Sequence, residues 1–160
     1  MEQLALLLHQ YRRFDLAYNP FTEDELPCVS VLSAAAARAN FLPMAEHWTE
    51  KLRNPQNTEL ATGRGDLWLV RDSVRYSFEF KRSYTEATLD RLARVMKDAK
   101  RDLSCLTGND CDHAFACVIT PWSDAVATDT YTQFADHEFA YAIGGGTVPD
   151  AYLYFTSRKW

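Results

Sequence analysis

The sequence has no apolar run near the roughly 18 residues that a membrane-spanning helix needs, so a helical membrane protein is not expected. It also lacks low-complexity tracts, internal repeats and Pro- or Ser-rich linkers. Nothing divides its 160 residues, a length that suits a single domain, 1–160, with one core. The apolar stretch Leu4–Leu8 has neither a basic leader nor a small-residue cleavage site, and does not read as a signal peptide. Cysteine is scarce. Cys28, Cys105, Cys111 and Cys117 fall at no spacing that builds a zinc site, and free thiols in a cytoplasmic protein are the expectation. His9, His47, His113 and His137 show no metal-ligand spacing either, with His47 only a supporting candidate beside Glu46. Gly144-Gly145-Gly146 lacks the surrounding pattern of a phosphate-binding loop and reads as a turn.

Net positive charge is missing as well. The formal charge of −5 argues against indiscriminate nucleic-acid binding, yet its distribution is uneven. Residues 64–101 hold 10 basic and 6 acidic side chains, whereas residues 102–160 hold 2 basic and 8 acidic. The middle of the chain is thus the part that a phosphate backbone would meet.

Periodicity organises the rest. Leu4, Leu7, Leu8 and Tyr11 predict a helix over 1–18, stopped by Asn19-Pro20, and residues 21–27 read as an acidic loop. A second helix is expected from Ser30 or Ser33 to Asn40. A third, with Pro43 in its first turn, is expected from Met44 to Arg53. Strand signals follow at 60–62, 66–70 and 75–81, then a strongly amphipathic helix over 86–106 and a strand over 114–120. Residues 130–142 read as a helix and 151–156 as an aromatic strand. Trp48, Trp68 and Trp122 read as core. The expectation is an α/β protein of the α+β kind, with a mixed sheet flanked by helices.

The stretch Asp66–Lys81 carries the chemistry. Gly-Asp-Leu-Trp-Leu-Val and Tyr-Ser-Phe-Glu-Phe-Lys flank a polar turn, as in a hairpin. Strand residues alternate sides, so Tyr76, Phe78 and Phe80 share a core face while Ser77, Glu79 and Lys81 share the other. Pairing of the two runs brings Asp66 close to both polar residues. Two carboxylates beside an ammonium suit a hard divalent cation next to a positive group.

Asp66, then Glu79-x-Lys81 thirteen positions on, in a strand that precedes a long helix, resembles the PD-(D/E)xK nuclease superfamily. Gly65 stands where the superfamily signature has proline. The resemblance covers residues 43–120 and implies a restriction-endonuclease-like αβββαβ core, with 1–42 as an N-terminal helical extension and 121–160 as a C-terminal helix and strand. It implies a metal-dependent nuclease acting on DNA or RNA, with Mg²⁺ or Mn²⁺ on Asp66 and Glu79 and Lys81 assisting at the phosphate. A glutamate from the first core helix often completes such sites. Glu46 is the candidate, with Glu50 and Glu59 as alternatives. Arg64, Arg82, Arg94, Lys97 and Arg101 are the candidate phosphate contacts. The alternative is a catalytically inactive nuclease-fold protein that binds a partner in a phage, defence or toxin-neutralising setting. Many members dimerise, and the aromatic C-terminal strand with Trp160 is the candidate homodimer surface.

Overall fold

The computed structural model describes residues 1–14, 19–54, 56, 59–83, 87–109, 111–144 and 148–158. The chain opens with helix α1 (Glu2–Phe14), which buries Leu4, Leu7 and Leu8 and ends on Arg12 and Arg13, cations suited to the negative end of the helix dipole. The expected extension to residue 18 lies outside the described residues. A 3-10 turn (Pro20–Thr22) follows, capped by Asn19, whose side chain accepts the Phe21 N–H at 3.0 Å.

Helix α2 (Glu25–Arg38) starts five residues before the Ser30 start expected from the sequence. Pro27 sits in its first turn, where a missing N–H carries no penalty, and so does not delay the helix. Asn40 ends it in the left-handed region, with φ 63. The acidic residues read as a loop therefore include the first residue of a helix.

Among the described residues six strands form one sheet: β1 (Leu42–Leu52), β2 (Leu60–Arg71), β3 (Val74–Arg82), β4 (His113–Pro121), β5 (Phe139–Ile143) and β6 (Ala151–Arg158), in spatial order β1-β2-β3-β4-β6-β5. All neighbours are antiparallel except β3 and β4. That parallel step needs a long crossover, which helix α3 (Leu89–Ser104) supplies. The β2–β3 hairpin turns on Asp72 and Ser73, both with positive φ (51 and 65), as a two-residue turn matched to the sheet twist requires.

The helix expected over Met44–Arg53 is strand β1 instead. Its apparent helical stripe faces outward: Met44 is 52% and Trp48 73% exposed, while His47 and Thr49 are buried by strand alternation. Pairing with β2 from Leu42↔Val70 to Leu52↔Leu60 overrides the local helical period. Trp48 is thus not a core residue. The helix expected over 130–142 is likewise divided into the short α4 (Thr128–Gln133) and the edge strand β5. The aromatic strand β6 lies inside the sheet, between β4 and β5, and Trp160 lies outside the described residues.

Helices cover both faces of the sheet. On one face α1 and α2 pack on Leu67, Leu69, Phe80, Cys117 and Ile119. On the other α3 and α4 pack on Ala114, Ala116 and Val118 through Leu92, Met96, Ala99 and Leu103. The alternation of Ala116, Cys117, Val118 and Ile119 between the two cores is strand geometry at work. An open apolar trough of about 370 Å³, lined by Phe78, Phe115, Phe139 and Phe155 among others, lies on the α1–α2 face. Among the described residues, no helix is long and apolar enough to cross a membrane.

Candidate active site

The polar residues singled out in the hairpin meet at the end of β3. Leu67 of β2 pairs with Phe78 of β3, and Asp66 and Glu79 are the next residue on each strand. They are neighbours across the hairpin, on the side opposite Leu67, Phe78 and Phe80. Register on β4 confirms the side: Glu79 pairs with Ala116 and Lys81 with Val118, both in the α3 core. Asp66 Oδ2 accepts the Phe80 N–H at 2.6 Å, which fixes its carboxylate.

Three further groups join them. Lys51 of β1 places Nζ 2.8 Å from Glu79 Oε1, with the Glu79 side chain 3% and that of Lys51 18% exposed. Asp102 of α3 holds Lys81 Nζ at 2.9 Å. Glu25, at the start of α2, lies in the electrostatic field of Asp66, Lys81, Glu46 and Asp102. Two glycines of β2 make the room. A Cβ on Gly65 would stand 2.2 Å from His47 Cε1, and one on Gly63 would stand 3.1 Å from Lys51 Cδ. The imidazole of His47 and the stem of Lys51 lie where those side chains would be.

Burial, and then an excess of carboxylate, sets the protonation states. Burial, reinforced by the Asp66 charge, pushes Glu79 from its ordinary 4.5 up to about 7, and the Lys51 ammonium does not hold it down. Asp66 is raised too, because burial outweighs the Phe80 N–H and the ammoniums of Lys81 and Lys51. Glu25 is raised by burial and then by Asp66. Burial disfavours the charge on Lys81, but the hydrogen bond and charge of Asp102, with Glu25 and Asp66 behind it, win and raise its pKa. Such a concentration of perturbed groups marks functional sites more often than scaffolding.

Of the remaining candidates Glu46 stays beside Asp66, whose proton affinity its charge raises, and the others are dispersed. Glu46 sits on β1, not on a helix, with φ 53 at the point where pairing with β2 lapses opposite Asp66, and it pairs with Arg64 at 3.0 Å. Glu50 is exposed, and Glu59 pairs with Arg53 at 3.4 Å on the surface. Arg82 points to the α2 side of the sheet, where it donates to the Thr22 carbonyl at 2.6 Å and the Phe21 carbonyl at 3.3 Å. Arg101 pairs with Asp98 at 3.2 Å and Asp102 at 3.3 Å. Arg94 and Lys97 are exposed on α3, eight and five residues before Asp102, hence about 12 and 7 Å along the helix axis.

Glu25, Lys51 and Asp102 escape a reading of the sequence. With 43–53 read as a helix, the alternation that places Lys51 is hidden. Lys51 follows Thr49 in a period-2 pattern that was the available signal.

The donor set is of the kind a hard divalent cation takes: Asp66 and Glu79 are adjacent, largely desolvated carboxylates whose proton affinity stays raised despite the ammoniums of Lys51 and Lys81. Among the described residues no group of three or more His, Cys, Asp or Glu side chains is arranged to hold a metal ion. Comparison with protein-family models, with curated proteins and with solved structures finds no match to this chain. Function is therefore read from the geometry.

Proposed function

We propose that the chain is a metal-dependent nuclease on a restriction-endonuclease-like core, hydrolysing phosphodiester bonds of DNA or RNA. The observation that carries this reading is the adjacency of Asp66 and Glu79 on paired strands, with Lys81 on the same face. The order α2-β1-β2-β3-α3-β4, antiparallel until the parallel β3–β4 step, supports it from the fold. Asp66 and Glu79 would hold Mg²⁺ or Mn²⁺, with Glu25 of α2 as the helix acid in place of Glu46. When bound, such an ion supplies charge stabilisation at the phosphate and a water of lowered pKa. Lys81, oriented by Asp102, presents an ammonium to the charge that develops on the phosphate. Arg94 and Lys97, with Arg64 if it releases Glu46, are the surface cations placed to meet the flanking backbone.

The test is cleavage of plasmid DNA, single-stranded DNA and RNA in Mg²⁺ and in Mn²⁺. Asp66→Asn and Lys81→Met each lower the rate by about 100-fold or more with unchanged circular dichroism. A wild-type protein inert on every substrate with both metals rejects the reading.

The second reading, a non-catalytic nuclease-fold module, draws on a specific observation: Glu79 and Lys81 are already engaged by Lys51 and Asp102. An inert protein that binds no metal by calorimetry favours it.

A further inference from the structure

Lys51 belongs to no part of the motif that defines the site, yet the fold goes to some length to put it there. The end of β1 is stitched to the end of α3: the Leu52 N–H donates to the Cys105 carbonyl at 2.8 Å, and Lys51 bridges Leu106 in an isolated antiparallel pair. The aliphatic stem then packs against β2 at Gly63, where its Cγ and Cδ meet no side chain. A Cβ on Gly63 would come within 3.3 and 3.1 Å of them. The ammonium ends on Glu79 Oε1, largely out of solvent. A lysine held at backbone, stem and head is not a solvated surface charge.

We infer that Lys51 is the resident counter-ion of the site, which a divalent cation must displace from Glu79 and which then turns to the phosphate of the substrate. The inference rests on the metal-dependent reading of Asp66 and Glu79. A carboxylate oxygen that ligates a cation cannot keep an ammonium at hydrogen-bond distance on the same lone pair without like charges crowding, so the two cations compete. Displacement leaves Lys51 partly buried and without its anion, a state that is costly unless another anion arrives. A phosphodiester entering beside Asp66 and Lys81 supplies that anion. Lys51 therefore weakens metal binding and strengthens nucleic-acid binding. These opposite signs are not expected of a residue that merely supports the fold.

Lys51→Met and Lys51→Gln test this, the first keeping most of the stem that packs over Gly63 and the second a neutral N–H donor, so that folding is protected in at least one. Titration of Mn²⁺ by calorimetry is expected to give about tenfold tighter binding in both variants than in wild type. In Ca²⁺ buffer, both variants are expected to bind a short oligonucleotide several-fold more weakly. In the wild-type protein, Mg²⁺ is expected to shift the Lys51 Cε–H NMR signals, a readout that needs no substitution. Mn²⁺ binding that Asp66→Asn abolishes but Lys51→Gln leaves unchanged overturns the role of Lys51 and leaves the site intact. A Lys51 signal unmoved at saturating Mg²⁺ does the same. Absence of Mn²⁺ binding in wild type and variants alike removes the metal site, and this inference with it.

Discussion

Burial, and then the charge of Asp66 beside it, raises the proton affinity of Glu79, and Glu79 carries that conflict into the stability of the fold. Its folded value of about 7 lies above the ordinary 4.5, so ionisation is disfavoured in the native state. The sign follows from linkage: the stabilising contribution is complete below 4.5 and is lost as pH rises through 7. Chemical denaturation of wild type and Glu79→Gln between pH 4.5 and 8 is expected to show the variant gaining on wild type by on the order of 3 kcal/mol, with most of the change below pH 7. A difference that does not vary with pH contradicts the burial and charge crowding described for this residue. Asp66, Glu79 and Lys81 were legible because spacing and strand alternation alone put them on one face. Glu25 and Asp102 were not, because their role depends on where α2 and α3 end against the sheet, and no local pattern encodes that.

Secondary structure was legible where one period dominated and not where two competed. Helix α3 has an apolar stripe at Leu92, Met96, Ala99 and Leu103 that is visible in the sequence, but its Thr88 cap, accepting the Arg91 N–H at 3.2 Å, starts it at Leu89, three residues after the expected start at 86. Met96→Ala is expected to destabilise the protein by about 2–5 kcal/mol, and Thr88→Ala by about 1 kcal/mol, in urea melts. Strand β1 is the opposite case. Met44, Trp48 and Leu52 repeat at helical spacing, while His47, Thr49 and Lys51 repeat at strand spacing, and only the partner strand decides between them. Trp48 reports the outcome. As an exposed strand residue its replacement by Ala is expected to change stability by less than about 1 kcal/mol, whereas a packed tryptophan would lose about 3–5 kcal/mol. A loss in the larger range would mean that β1 faces the other way. The division of 130–142 into α4 and β5 has the same origin, since Phe139, Tyr141 and Ile143 find their order only through pairing with β6.

At the scale of the whole molecule, the basic middle segment is less available than its composition implies. The fold turns Arg82 onto the 3-10 turn, Arg75 onto Asp112 at 3.0 Å and Arg101 onto its helix neighbours. On the proposed nucleic-acid reading, Arg94 and Lys97 face outward near the site, Arg64 would have to leave Glu46, and Lys81 and Lys51 meet the phosphate, so about three to five phosphates would be neutralised. Fluorescence anisotropy with duplex DNA in Ca²⁺ is expected to give a slope of log K against log salt of about −3 to −4.5. A slope steeper than about −5 would place the nucleic acid on a larger basic surface elsewhere. The central claim is that Asp66 and Glu79 form one cation pocket beside Lys81, and its most direct test is a crystal of the whole protein soaked in Mn²⁺ and measured at the manganese edge. The account predicts an anomalous peak between the two carboxylates, within about 2.5 Å of an oxygen from each, with Lys51 withdrawn from Glu79. An ordered Lys51–Glu79 pair with no peak, at Mn²⁺ concentrations that saturate ordinary nuclease sites, contradicts it.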